Sequence, residues 1–167
     1  MNKTGIFYSF RSVKTAQQVK KISRLFDDQL ESVDIDVATG EDFMRFTNYI
    51  LAVPTWFDGE LPTYWDEFLP AIDEEDLSGR QFALFGGGDQ KGYPENFVDG
   101  LGLMAEFIEE RGGSIVGLTS IEGYDFESSK AQRGNQFLGL ALDIENQAAL
   151  SNERIEQWVQ SLKKEFK

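Results

Sequence analysis

Short apolar runs alternate with helix-length amphipathic stretches along this chain, and no other feature constrains the fold as much. A strand that returns to its sheet through a helix must lie parallel to the strand it left, so the rhythm predicts a βα repeat around a parallel sheet. The first strand is expected over about residues 3–8. The first helix is expected over 13–28, where Val19, Ile22, Leu25 and Phe26 recur at helical spacing. Val33, Ile35 and Val37 alternate with acids, the pattern of a half-buried edge strand. Tyr49 to Val53 and Gln81 to Phe85 are continuous apolar runs of central-strand type, and the first ends at Pro54. Further helices are expected over 63–69, 95–111 and 152–166. Gly112-Gly113 ends the second of these and a fifth strand follows at 114–118. The apolar run Phe137 to Leu142 lies in a connection too long for an ordinary loop, so it is expected to belong to an inserted excursion.

The chemistry open to such a fold is narrow. At 167 residues the chain is expected to form one domain, 1–167. There is no Cys and no His, which removes thiolate nucleophiles, disulfides, cysteine-held clusters and the commonest general base and metal ligand. The net charge of −13 repels nucleic acid and anionic membranes and favours basic protein partners. The opening MNKTGIFYSF has no signal-peptide core, so a cytosolic location is expected. The acidic run Asp73-Glu74-Glu75-Asp76 lacks the spaced ligands of a calcium loop and reads as a solvated helix end. What remains is carboxylate chemistry, hard-metal binding or chemistry carried by an organic cofactor. The aromatic content, 13% of the chain, favours the last.

In a doubly wound sheet, ligands sit beyond the carboxyl ends of the strands where strand order reverses. Three loops qualify: Ser9-Phe10-Arg11-Ser12-Val13-Lys14-Thr15, the stretch Pro54-Thr55-Trp56-Phe57-Asp58-Gly59-Glu60-Leu61-Pro62, and Gly86-Gly87-Gly88-Asp89-Gln90-Lys91-Gly92-Tyr93. Each of the last two carries a large aromatic, Trp56 or Tyr93, beside glycines. Either ring alone reads as ordinary packing. Both together at a switch point read as a stacking site for a planar ligand, whose edge the glycines let the backbone approach.

At these residues the chain resembles the flavodoxins, in particular the long-chain ones, in which an insertion splits the fifth strand. The resemblance runs from about Lys3 to Phe166 and is strongest in PTWFDGELPTYWDEF, FALFGGGDQKGYPENF, GYDFESSKA, FLGLALDIENQ and ERIEQWVQSLKKEF. It implies an α/β fold in three layers, a doubly wound five-stranded parallel sheet of order 2-1-3-4-5. It also implies a monomer that binds FMN non-covalently and carries one electron at a time at low potential, with no substrate of its own. The donor would be a flavin-dependent reductase. The acceptor would be a low-potential redox protein with a basic docking surface, such as a nitrogen-fixation or other reductive enzyme.

Carried over by position, Trp56 and Tyr93 would flank the isoalloxazine. Pro54, Thr55, Gly87, Gly88 and Asp89 would offer polar and backbone groups to the ring edge and ribityl chain. Asn96 and Asp143 match positions near the pyrimidine end and the ribityl chain. The Phe57-Asp58-Gly59 turn would supply a backbone carbonyl to flavin N5, and Gly59 would ease reorientation of that peptide.

The first loop departs from the family. Typical members read Thr-x-Thr-Gly-x-Thr there, whereas this chain reads Phe10-Arg11-Ser12-Val13-Lys14-Thr15. Ser12 and Thr15 keep two of the hydroxyls; Phe10 replaces the first Thr and Val13 replaces the Gly. A β-branched residue resists the positive-φ conformations that glycine accepts, and a phenyl ring cannot hydrogen-bond a phosphate. Arg11 and Lys14 offset this, because a cation at a helix N-terminus gives charge-assisted bonds to a dianion; equally, both read as solvated loop cations. Three expectations follow: an FMN carrier whose phosphate is held by Ser12, Thr15, helix amides and the cations; a partner-binding module whose flavin site has weakened, changed or been lost; and an NAD(P)H-dependent FMN or quinone reductase.

Overall fold

The computed structural model describes residues 3–167. Its main sheet holds the parallel strands β1 (Thr4–Tyr8), β2 (Glu31–Asp34), β3 (Asn48–Ala52), β4 (Gln81–Gly87) and β5 (Ser114–Val116), in the order β2-β1-β3-β4-β5. Three short strands, β6 (Thr119–Ser120), β7 (Gln132–Arg133) and β8 (Gln136–Phe137), form a separate antiparallel sheet, and β9 (Leu140–Leu142) rejoins the main one. β5 pairs with Gln81 to Ala83 of β4, and β9 with Phe85 to Gly87. Since Phe85 faces Ala52 on one side and Leu140 on the other, β9 prolongs the line of β5. The fifth strand is thus split, and the apolar run Phe137 to Leu142 supplies its second half.

Helices cover both faces. Strand side chains alternate, so Phe7, Tyr49, Leu51, Phe82 and Leu84 fall in one core, with Phe43, Trp65, Leu101 and Met104 from α2 (Gly40–Met44), α3 (Thr63–Phe68) and α4 (Asp99–Glu110). Ile6, Ile50, Ala52, Ala83 and Phe85 fall in the other, with Val19, Ile22, Ile155, Trp158 and Leu162 from α1 (Val13–Leu25) and α5 (Ser151–Glu165). This arrangement gives three layers, with every loop at the carboxyl end of the sheet gathered on one rim.

The element boundaries differ from the sequence pattern where special backbone conformations intervene. α1 stops at Leu25 because Asp27 and Asp28 adopt φ of 55° and 56°, and the Asp28 amide folds back to the Ser23 carbonyl at 2.8 Å. β2 ends before Val37, which is exposed, while Ile35 is buried. α4 begins at Asp99 rather than near 95. A run of turns precedes it, Tyr93 to Asp89, Asn96 to Tyr93 and Asp99 to Asn96, and Val98 sits at φ 47°. β5 stops at Val116 because Gly117, at φ 72°, turns the chain into the insertion. The short α2 was not expected, although its capping box of Thr39 and Asp42 is visible in the sequence.

Candidate functional site

The carboxyl ends of β1, β3, β4 and β9 open into a cleft of ≈ 620 Å³, within the range of small-molecule sites. The loop after β1 forms one end. Ser12 is the N-cap of α1, its Oγ accepting from the Thr15 amide at 3.4 Å and donating to Thr15 Oγ1 at 2.9 Å. The amides of Val13 and Lys14 occupy the first helical positions and have no intrahelical acceptor, so they leave a local positive potential at this end.

The two cations of this loop have different roles. Arg11 forks onto Asp36, with Nε to Oδ2 at 3.3 Å and one terminal nitrogen to Oδ1 at 3.1 Å, and Ser9 Oγ donates to the same carboxylate at 2.6 Å. Partial burial works against the Asp36 charge, but the bonds from Ser9 and Arg11 outweigh it and hold the carboxyl below its ordinary range. Lys14 reaches across the cleft to Glu145 Oε1, 3.3 Å away, in a pair that stays largely exposed. Such a pair contributes little stability and Lys14 remains free to change partner. Phe10 does not enter the cleft: its ring lies 4.8 Å from that of Tyr8, tilted by 38°. Val13 points to solvent at 72% exposure.

The loop after β3 is a tight hairpin. Trp56 and Glu60 exchange two backbone bonds, both of 2.8 Å, and Phe57 and Gly59 take φ of 50° and 96° to close it. A Cβ on Gly59 would fall 2.6 Å from Asp99 Oδ2, so both conformation and space demand glycine. Two anchors hold the hairpin: Trp65 Nε1 donates to the Ala52 carbonyl at 2.9 Å, and the Gly100 amide donates to Thr55 Oγ1 at 2.8 Å. Trp56 lines the cleft while 37% exposed, and the edge of Tyr64 meets its ring at 5.6 Å and 89°.

The loop after β4 carries Tyr93, which lines the cleft at 49% exposure. Just before it, near the end of β4, Gly86 must be glycine because a Cβ would collide with the Val53 carbonyl. Asp89 shapes the loop from within: Oδ1 accepts from the amides of Gly92 at 2.8 Å and Lys91 at 3.2 Å, and from Asn146 Nδ2 at 2.8 Å. The Gly92 amide, ahead of Asn146, draws the Asp89 carboxyl below its usual range. Asp143 is fully buried and accepts from the Gln90 amide at 3.0 Å, Gln90 Nε2 at 2.7 Å, and Asn146.

The structure therefore brings Ser9, Arg11, Ser12, Lys14, Thr15, Pro54, Thr55, Trp56, Gly87, Gly88, Asp89 and Tyr93 to one cleft. Phe57 and Asn96 line a smaller hollow of ≈ 250 Å³ that shares Thr55, Trp56 and Tyr93 with it. Phe10, Val13, Asp58, Gly59 and Asp143 line neither. Four lining residues escaped the sequence reading: Gln18, Tyr64, Ile144 and Glu145. Gln18 lies one turn beyond Lys14 on the same helix face, a spacing that is readable in advance. Ile144 and Glu145 follow the second half of the split strand, and the rule that ligands sit at carboxyl ends applies there once that run is recognised as a strand. Tyr64 had no such signal, since a Tyr opening a short helix reads equally as core. Among the described residues, no helix is long and apolar enough to cross a membrane and no cluster of acids has metal-holding geometry.

A family model described as flavodoxin matches residues 9–158. The flavodoxin of Trichodesmium erythraeum is 44% identical over 169 residues, covering 99% of each chain. Flavodoxin 1 of Escherichia coli is 39% identical over 165 residues, covering 98% of this chain and 94% of that one. Among solved structures, the flavodoxin of Fusobacterium nucleatum bound to flavin mononucleotide superposes with a TM-score of 0.93 at 33% identity, covering 100% of both chains.

Proposed function

The chain belongs to the flavodoxin family, and from that premise we propose that it is a single-domain, cytosolic one-electron carrier, monomeric, that holds FMN non-covalently in the ≈ 620 Å³ cleft. The observation that carries this reading is the pairing, in one cleft, of two exposed rings, Trp56 and Tyr93, with a helix N-terminus bearing Ser12, Thr15 and a re-partnerable Lys14.

The donor set fits that cofactor at both ends. Free helix amides, the Ser12 and Thr15 hydroxyls and the Lys14 ammonium suit a phosphate dianion. Trp56 and Tyr93 suit a planar heterocycle, which Gly87 and Gly88 let the backbone approach. FMN supplies the one-electron chemistry. The chain would supply its placement: Thr55 and Asn96 would offer polar groups to the ring, Asp89 and Asp143 hold the shape of the loop that carries Tyr93, and the Phe57-Asp58-Gly59 turn, of which Phe57 lines the smaller hollow, would present a backbone carbonyl to the ring edge. The exposed hairpin acids Asp58 and Glu60, Glu145 on the cleft wall and the net charge of −13 disfavour added negative charge in the cleft, which makes the loaded protein a stronger reductant.

A flavin-dependent reductase would load the carrier, and a low-potential acceptor with a basic docking face, such as a nitrogen-fixation or other reductive enzyme, would unload it. The reductase reading gives way, because the relatives are flavodoxins, electron-transfer proteins rather than enzymes. A second reading rests on the first loop. With Arg11 committed to Asp36 and Phe10 turned onto Tyr8, the phosphate has fewer partners than the family pattern offers, as a partner-binding module with a weakened flavin site requires. The visible spectrum of the purified protein and titration of its apo form with FMN and riboflavin separate the two. A yellow protein that prefers FMN is expected; a colourless one that takes up neither flavin overturns the carrier.

A further inference from the structure

The exposed large apolar side chains are not scattered over the surface. Among the described residues, each lies in a connection that leaves the carboxyl end of a strand, or in the first turn of the helix that follows. Trp56, Phe57 and Tyr93 border the cleft and the smaller hollow beside it. Phe10, Val13 and Val37 form a second group, on and beside the first loop, and none of them lines either cavity. Phe10 and Val13 stand where the family pattern has Thr and Gly, so this group adds apolar surface that the pattern lacks.

The two loops that carry the second group are bonded to each other. Asp34 Oδ1 accepts from the Phe10 amide at 3.3 Å and the Asp36 amide at 3.1 Å, and the Val37 amide donates to the Asp34 carbonyl at 3.2 Å. Asp36 in turn takes the bonds from Ser9 and Arg11. Apolar surface held out on a fixed support loses little freedom when it is covered. The same bonds quieten the local charge, since Asp36 is paired with Arg11 and one oxygen of Asp34 is given to two amides. On the hairpin, by contrast, Asp58 and Glu60 are exposed and make no ion pair among the described residues.

We propose that Phe10, Val13 and Val37 form a second docking strip for a redox partner protein that spans the cleft, its basic side chains toward Asp58 and Glu60 and its apolar surface on the strip. The net charge of −13 selects this occupant: it repels a second copy of the chain, an anionic membrane and nucleic acid, and it attracts a basic protein. Charge then guides the approach, and apolar cover holds the complex once it has formed. A quiet apolar strip on one side and an acidic hairpin on the other also decide which way round the partner sits.

The inference rests on the reading of the chain as an FMN carrier and is tested apart from it. Val37→Ser, and Val37→Ser combined with Phe10→Ala, are loaded with FMN after circular dichroism has shown that they fold, and their FMN Kd is measured. Reduction by an NADPH-dependent flavodoxin reductase is then followed at low and high ionic strength. The KM for the carrier should rise about fivefold or more in the double variant and less in Val37→Ser, with kcat and FMN Kd unchanged. The rise should be as large at high ionic strength as at low, because the strip carries no charge. An unchanged KM would overturn the proposal, as would a rise that vanishes in high salt or comes only with weakened FMN binding. Wild type that takes up no FMN or accepts no electrons would overturn the carrier reading itself, and the docking strip with it.

Discussion

Asn146 donates from Nδ2 to Asp89 Oδ1 at 2.8 Å, so one side-chain amide ties the loop after β9 to the loop after β4 that carries Tyr93. The same nitrogen lies 2.9 Å from Oδ2 of the fully buried Asp143. Two carboxylates that resemblance alone assigns to cofactor contact therefore also meet over a shared donor and set the height of the stacking loop.

Asn146→Ala should cost about 1–3 kcal/mol in urea unfolding, because Asp143 stays buried with a donor missing. Flavin binding should weaken as well, and equally for FMN and riboflavin, since the loop serves the ring and not the phosphate. A loss confined to FMN would contradict this.

Arg11 and Lys14 should separate cleanly. Lys14→Ala should raise the FMN Kd about tenfold while leaving riboflavin binding unchanged, because Lys14 can exchange Glu145 for a phosphate. Glu145→Gln should move FMN affinity the other way. Arg11→Ala should change the flavin preference far less, its guanidinium being held by Asp36. Equal effects of the two alanine changes on FMN preference would remove the distinction.

Asp36 sets a pH dependence. Its carboxyl is held below the ordinary range in the fold: burial opposes the charge, yet the bonds from Ser9 and Arg11 prevail. A depressed acid contributes stability above its unfolded pKa of about 4 and loses it as pH falls through the folded value. The urea midpoint of Asp36→Asn should therefore lie below wild type at neutral pH, with the gap closing as pH drops below about 4. A gap that is constant across this window would exclude an ionic origin.

Gly59→Ala should destabilise by about 1–3 kcal/mol, because φ of 96° is strained for any side chain and the new methyl would press on Asp99 Oδ2. Asp99 also accepts from the Lys130 amide at 2.7 Å, so the disturbance should spread to the insertion. Hydrogen exchange at Lys130 would report it.

Electron transfer to a basic partner should slow as salt is raised from low ionic strength, since the long-range attraction toward a chain of net charge −13 is screened beyond a Debye length of about 10 Å at 0.1 M. Rates indifferent to ionic strength would count against docking on the acidic rim.

Much of this architecture was legible in advance. The period of the apolar runs found the parallel sheet, and the loops at its carboxyl ends supplied Thr55, Trp56, Gly88 and Tyr93, because a large ring beside glycines on a loop has no core of its own to fill. The capping box at Thr39 was equally readable, yet a five-residue helix carries too little periodicity to stand out. Val98 at φ 47° was not readable, since nothing in the residue itself favours that conformation; the turns before it and the packing of α4 impose it.

The sequence by itself determined what depends on near neighbours: which runs are strands, where Gly59 and Pro54 turn the chain, and that Ser12 caps α1. Only the tertiary structure decided the partners of the charges and polar groups at the site. Arg11 meets Asp36, 25 residues away, Lys14 meets Glu145, 131 residues away, and Phe10 turns onto Tyr8 while Tyr64 enters the cleft. The reason is physical. Backbone conformation follows local sterics and spacing, whereas a side chain's electrostatic partner is whichever group the packed strands and helices carry to within a few ångströms, and chain distance leaves no trace of that.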